Sequence, residues 1–161
     1  MNNIRTVVFD FGSGHKLDKL MKMAEDKSKL IVSFDMTRDT KFCPRSNLVF
    51  EYKKKHNLDI YKLKDNLLFV HHDVTKISEI PWKADYVVTR PLKANNGRFP
   101  SNMVKHLKDD CAVFIRPGFE RTNYPIEYHD YTDSIMDQLS NHNFKFVPKG
   151  DYLLAVRGNI S

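Results

Sequence analysis

The amino-acid sequence predicts an α/β fold, doubly wound, with a mainly parallel sheet and a C-terminal antiparallel β-hairpin. Three observations lead there. Short, nearly continuous apolar runs rich in β-branched residues recur along the chain, as strands buried on both faces require. Segments with helical spacing separate several of these runs, and strand–helix alternation implies parallel strands, which need crossover connections. Near the end, two strand-like runs flank the turn signal Pro148-Lys149-Gly150-Asp151, so one of them must run antiparallel to the rest.

The predicted strands are Thr6–Phe11, Leu30–Phe34, Leu67–Val70, Tyr86–Thr89 and Ala112–Ile115, and the hairpin joins Phe144–Val147 to Tyr152–Arg157. The first helix is expected over Lys16–Asp26, with Leu17, Leu20, Met21 and Ala24 on one face and lysines on the other. A second is expected over about Ser46–Asn57, where Leu48, Val49 and Tyr52 form the apolar stripe and Pro44 suits the first turn. A third covers about Ser101–Lys108 and a fourth about Thr132–Asn143, carrying Ile135, Met136 and Leu139. Between Asp73 and Trp82 only a turn or a short helix fits.

With 161 residues, the chain is long enough for one domain with a proper core. Its 41% hydrophobic and 12% aromatic content is that of a folded protein. No apolar run approaches the length of about 20 residues that spans a bilayer, and Met1–Arg5 leads into a strand without signal-peptide anatomy, so a soluble, cytoplasmic protein with no membrane partner is expected. Cys43 and Cys111 fit no metal or redox spacing and read as reduced, buried thiols. The net charge of +6 leans toward an anionic partner. Lys53-Lys54-Lys55, the one compact basic run, reads as the solvated face of a helix in preference to a binding patch.

The first strand ends in Asp10-Phe11-Gly12-Ser13-Gly14. Glycines after a buried strand permit a tight turn and let backbone N–H groups approach a ligand at a helix N-terminus, although a plain strand-to-helix turn uses them too. Asp10 stands where a carboxylate near such donors receives a ligand ammonium. The second strand ends in Ser33-Phe34-Asp35, about 20 residues on, where an acid grips the hydroxyls of a ribose. The third ends in His71-His72-Asp73-Val74, where a carboxylate and the following N–H can read an adenine edge. Ligands of open α/β sheets lie at the carboxyl ends of the strands, so three acids at three strand ends converge on one site.

In this order, and with the final hairpin, Asp10–Gly14, Asp35 and Asp73 resemble the class I S-adenosylmethionine-dependent methyltransferases over nearly the whole chain, from about residue 5 to residue 158. The resemblance implies a single Rossmann-like domain over 1–161 with S-adenosylmethionine as cofactor. Phe11, Gly12, Ser13 and Gly14 would form the loop facing its methionine part, with Asp10 supporting the amino group. Asp35 would hold the ribose and Met36 pack on the adenine, Asp73 and Val74 would read the adenine edge, and Thr89 would lie on the same rim. The sequence departs from the family in having Lys16 where a third glycine is usual. It also ends its fourth strand in Thr89-Arg90-Pro91-Leu92 rather than the Asn/Asp-Pro-Pro-aromatic signature of amino-group methylators of bases. An NAD fingerprint fits less well, because Leu17 stands where its last Gly or Ala belongs.

Arg90, Arg98, Arg116 and Arg121 fall in rim segments and offer a tentative anion cradle, with solvated surface an equal reading. Tyr124, Tyr128, His129 and Tyr131 would form a lid or stack on a base, with a structured loop packed on the core an equal reading. His71 and His72 are adjacent and point to opposite faces of a strand, so no metal site is expected. His15, His71 and His129 are candidate bases, needed only if the acceptor must lose a proton, and no catalytic residue is singled out. About four residues precede the first strand, where the family often carries a substrate-binding segment. Acceptor selection is therefore expected from the loops at 36–46, 90–100 and 117–131, from a second copy of the chain or from a partner subunit. Three functions remain open: methylation of an anionic acceptor, with RNA favoured by the charge; methylation of a small molecule or protein side chain; and a catalytically degenerate cofactor-binding subunit of a complex.

Overall fold

The computed structural model describes residues 6–11, 17–35, 51–89, 101–115, 136, 138–149 and 152–159. They form one mixed sheet of nine strands: β1 (Thr6–Phe11), β2 (Lys29–Asp35), β3 (Glu51–Lys55), β4 (Leu58–Lys64), β5 (Leu67–His71), β6 (Ala84–Thr89), β7 (Leu107–Ile115), β8 (Lys145–Lys149) and β9 (Tyr152–Arg157). Their spatial order is β3-β4-β5-β2-β1-β6-β7-β9-β8. The five central strands β5, β2, β1, β6 and β7 are parallel. On one side β3 and β4 add antiparallel strands, and on the other β9 runs antiparallel to both β7 and β8. All five predicted central strands and both C-terminal strands are present. β8 continues through Pro148 and Lys149, tolerating proline because it lies at the sheet's edge among the described residues.

Alternation along the strands sorts side chains to two faces. On one face Phe9 and Phe11 of β1 pack edge-on against Phe34 of β2, with ring centroids 5.2 and 5.6 Å apart, inside the larger core cluster. On the other, Val8, Ile31, Leu67 and Phe69 meet Leu20 of the α-helix α1 (Leu17–Met23) and Ala24 just after it. The turn between β4 and β5 ties down the end of α1. Buried Asn66 donates from Nδ2 to the carbonyls of Ala24 (2.8 Å) and Asp26 (3.2 Å), satisfying groups a helix end leaves unpaired. At the amino ends of β1, β6 and β7, the Asp85 carboxylate accepts the Val7 N–H at 2.9 Å and the Lys108 ammonium at 2.9 and 3.0 Å.

The helix expected over Ser46–Asn57 is corrected: its described part is strand β3, and the chain turns back at His56-Asn57 into β4. Both turn residues have positive φ, 54° and 62°, the signature of a two-residue turn whose twist matches that of paired strands. Leu58 and Ile60 alternate into the core, a period of two that decides the element. Leu48 and Val49 lie outside the described residues. The third helix is a 3-10 helix over Ser101–His106, and β7 begins already at Leu107. Lys108, Asp109 and Asp110 hid that start by interrupting the apolar run, yet Asp110 Oδ1 accepts the Asn159 N–H at 2.9 Å. Of the fourth helix, Met136 and residues 138–140 are helical, and Asn143 (φ 68°) ends the turn that follows. A short 3-10 turn, Val74–Lys76, fills the space after β5. No described helix is long and apolar enough to cross a membrane.

His106, 5% exposed at the end of its 3-10 helix, has Nε2 3.4 Å from the Ser78 carbonyl oxygen. Burial pushes the imidazole below its ordinary value, and the neighbouring Lys105 ammonium pushes the same way against the Ser78 carbonyl. The folded chain thus binds fewer protons here than the unfolded one, so this contribution is intact above the ordinary imidazole value and is lost as pH falls below it. Urea unfolding from neutral pH down to about pH 5 should show a loss of stability that His106→Gln reduces. Parallel profiles for the two proteins would contradict this.

Candidate functional site

The parallel registers align the carboxyl ends of five strands along one rim. Phe11 stands opposite both Phe34 and Thr89, Asp35 opposite His71, and Thr89 opposite Ile115. Connections in such sheets leave from this rim, which is where ligands of open α/β sheets lie.

Asp10, one residue before the end of β1, is half-buried and opposite Ser33. Its neighbours Phe9 and Phe11 point into the core, which turns Asp10 to the α1 face, the face that Val8 helps line. The fully buried Ser33 hydroxyl donates to Asp10 Oδ2 at 3.4 Å. A carboxylate within a central strand costs free energy that an apolar residue would not. Asp35 is the last residue of β2, half-buried, and its carbonyl accepts the His72 N–H at 3.1 Å, carrying the ladder one step past β5. Asp73 follows β5 directly, half-buried, and its carbonyl accepts the Lys76 N–H at 2.9 Å. Val74 is buried in the core, and its carbonyl accepts from Asn102 Nδ2 at 2.8 Å. Thr89, 1% exposed, closes β6 beside Phe11.

The structure thus brings Asp10, Phe11, Asp35, Asp73, Val74 and Thr89 to one rim. Gly12, Ser13, Gly14, Met36, Arg90, Arg98, Arg116 and Arg121 lie outside the described residues. Sequence reasoning missed the environment of two side chains. Ser33 matters because the β1–β2 register sets it against Asp10. His71 pairs on one side with Asp35 of β2 and on the other with Asp59 of β4, which puts all three on one face, and its ring stacks on Phe69 at 6.4 Å. That row was invisible without β4. A groove lined by Ser101, Val104, Gln138, Asn141 and His142 touches no rim residue.

No protein-family model and no curated protein matches the sequence. Solved structures do match. The chain is similar to the 16S rRNA (adenine(1408)-N(1))-methyltransferase from Catenulisporales acidiphilia, with a TM-score of 0.61 and 16% identity over 98% of this chain and 87% of that one. It is similar to a chain of the fibrillarin/Nop5p complex, with a TM-score of 0.55 and 11% identity over 99% and 75%. It is also similar to the plantazolicin methyltransferase BpumL, solved in complex with a pentazolic desmethylPZN analog and SAH, with a TM-score of 0.55 and 10% identity over 96% and 77%. The fold is the class I S-adenosylmethionine-dependent methyltransferase fold.

Replacing Ser33 by alanine removes a donor to Asp10 and adds no bulk to a fully buried position. Chemical unfolding should show a loss of about 1 kcal/mol, and unchanged stability would mean that the hydroxyl does not support the carboxylate.

Proposed function

We propose that the chain transfers a methyl group from S-adenosylmethionine to an anionic acceptor, RNA being the class its charge favours. The observation that carries this reading is the row of carboxylates Asp73, Asp35 and Asp10 at the ends of three adjacent strands, β5, β2 and β1. Strands lie about 4.8 Å apart, so the row spans about 10 Å, in keeping with the reach from an adenine through a ribose to an amino group. Carboxylates suit those partners: each accepts from an ammonium, a hydroxyl or an exocyclic amine.

In this reading Asp10, steadied by Ser33, receives the cofactor's amino group, and the backbone of Phe11, Gly12, Ser13 and Gly14 surrounds its carboxylate end. Asp35 accepts from the ribose hydroxyls, Met36 packs on the adenine, Asp73 and the Val74 N–H meet the adenine edge, and Thr89 lines the rim next to β1. The sheet grows outward from β1 in both directions, which supports a doubly wound, single Rossmann-like domain over 1–161 with its ligand at the switch point. When bound, S-adenosylmethionine supplies an activated methyl on a sulfonium, which an acceptor nucleophile takes in line. The chain's own contribution is positioning. Arg90, Arg98, Arg116 and Arg121 would hold the acceptor's anionic groups. The net charge of +6 supports RNA over a neutral small molecule, and one similar structure is an rRNA methyltransferase.

Calorimetric titration should show binding of S-adenosylmethionine and its demethylated product in preference to NAD; binding of NAD alone would overturn the cofactor. Asp35→Ala should weaken cofactor binding by about 1–3 kcal/mol, the loss of a charged hydrogen-bond partner. A folded variant that titrates like wild type would take Asp35 out of the ribose site.

A further inference from the structure

The β3–β4 hairpin stands where a helix was expected, and its direction matters. β5 runs toward the rim, β4 runs antiparallel to it and β3 antiparallel to β4, so the His56-Asn57 turn returns to the rim side of the sheet. Register confirms the level: Lys54 lies opposite Asp59, Asp59 opposite His71, and His71 opposite Asp35. The last three residues of β3 before the turn are Lys53, Lys54 and Lys55, all exposed, followed by exposed His56. Over β3 and β4 together, Lys53, Lys54, Lys55, Lys62 and Lys64 outnumber Glu51 and Asp59. At the far end Lys62 stands opposite Glu51 and is engaged with Asp65 at 3.5 Å, with Lys64 nearby, whereas the rim end carries three lysines against the single acid Asp59 and is the hairpin's positive pole.

We propose that this lysine tip is a phosphate-binding arm that holds an RNA strand beside the rim. The proposal rests on the methyltransferase reading and names the surface that would seat its acceptor. Lys53 and Lys55 share a face about 6.8 Å apart, and Lys54 projects from the other, so the tip presents charge to both sides of the sheet edge. The two left-handed turn residues close the hairpin tightly and fix the backbone that carries the lysines, which lowers the ordering cost of binding. Three strand spacings, about 14 Å, separate β3 from Asp35 on β2, a distance that a few nucleotides cover. Lysines on an edge strand also discourage strand-to-strand aggregation. That role alone calls for charge along the strand, whereas here it gathers at the end nearest the rim.

The test replaces Lys53, Lys54 and Lys55 together by glutamine, and separately by arginine, in the full chain. Anisotropy with a pool of mixed-sequence RNA oligonucleotides is measured over a salt series, with calorimetric titration of the demethylated cofactor alongside. The glutamine variant should bind RNA tenfold or more weakly at low salt, alike for all sequences, with a salt slope shallower by about two, at about 0.7 per phosphate contact on a single strand. The arginine variant should bind as wild type does, and cofactor affinity should stay the same in all three. RNA binding unchanged in the glutamine variant, including the case in which that variant self-associates, would overturn the arm while leaving RNA as acceptor. Wild-type chain that binds cofactor but no RNA at low salt would overturn both the arm and the RNA acceptor, leaving the cofactor assignment standing. Polyglutamate binding the tip in preference to RNA would assign it to an acidic protein and overturn the proposal.

Discussion

Strand β1 is hydrogen-bonded on both sides to strands running in its own direction, β2 and β6, and the rest of the molecule follows from that arrangement. Parallel neighbours cannot be joined by a tight turn, so the chain must cross over the sheet between them. Both faces of β1 must then be covered, which Phe9 and Phe11 meet on one side with Phe34, and Val8 on the other with Leu20. The shared direction also brings the ends of β1, β2, β5, β6 and β7 to one rim. A polar residue there sits beside the polar residue of the next strand, which is how Asp10 comes to face Ser33 and Asp35 to face His71.

The two ends of the parallel strands are used differently. At the amino ends, polar groups fasten the structure: Asp85 takes the Val7 N–H and the Lys108 ammonium, and buried Asn66 ties off α1. Nearby, the Ser28 hydroxyl and N–H hold the Asp26 carboxyl below the usual range. The carboxyl-end acids stand instead at strand ends that face the connections. Burial likewise explains Cys111, whose thiol is pushed above its ordinary range in the core.

The central strands were legible because each is a compact apolar run that burial on both faces demands, and the C-terminal pair because a turn signal separates two such runs. The β3–β4 hairpin was not. Tyr52 fits a helical stripe as well as a strand, and the lysines beside it suit an exposed helix face. The turn at His56-Asn57 lacks the glycine that normally announces left-handed φ. The alternation of Leu58, Asp59, Ile60 and Tyr61 was the available signal, and it fell just beyond the expected helix. The acids of the rim were legible as positions, because each follows a strand. Their neighbours Ser33, His71 and Asp59 were not, because cross-strand register is a property of the sheet and cannot be read along one run.

The central claim is the proposal that the carboxyl rim of the parallel strands receives an S-adenosyl cofactor. Titrating the isotopically labelled chain with the demethylated cofactor, and following backbone amide resonances, tests it residue by residue. The account predicts that the largest perturbations fall at Phe11, Asp35, His72, Asp73, Val74 and Thr89, while the amides of Val7, Asp85 and Lys108 at the opposite end stay where they were. Perturbations centred on that opposite end, on the groove at Ser101 and His142, or nowhere in the sheet would contradict it.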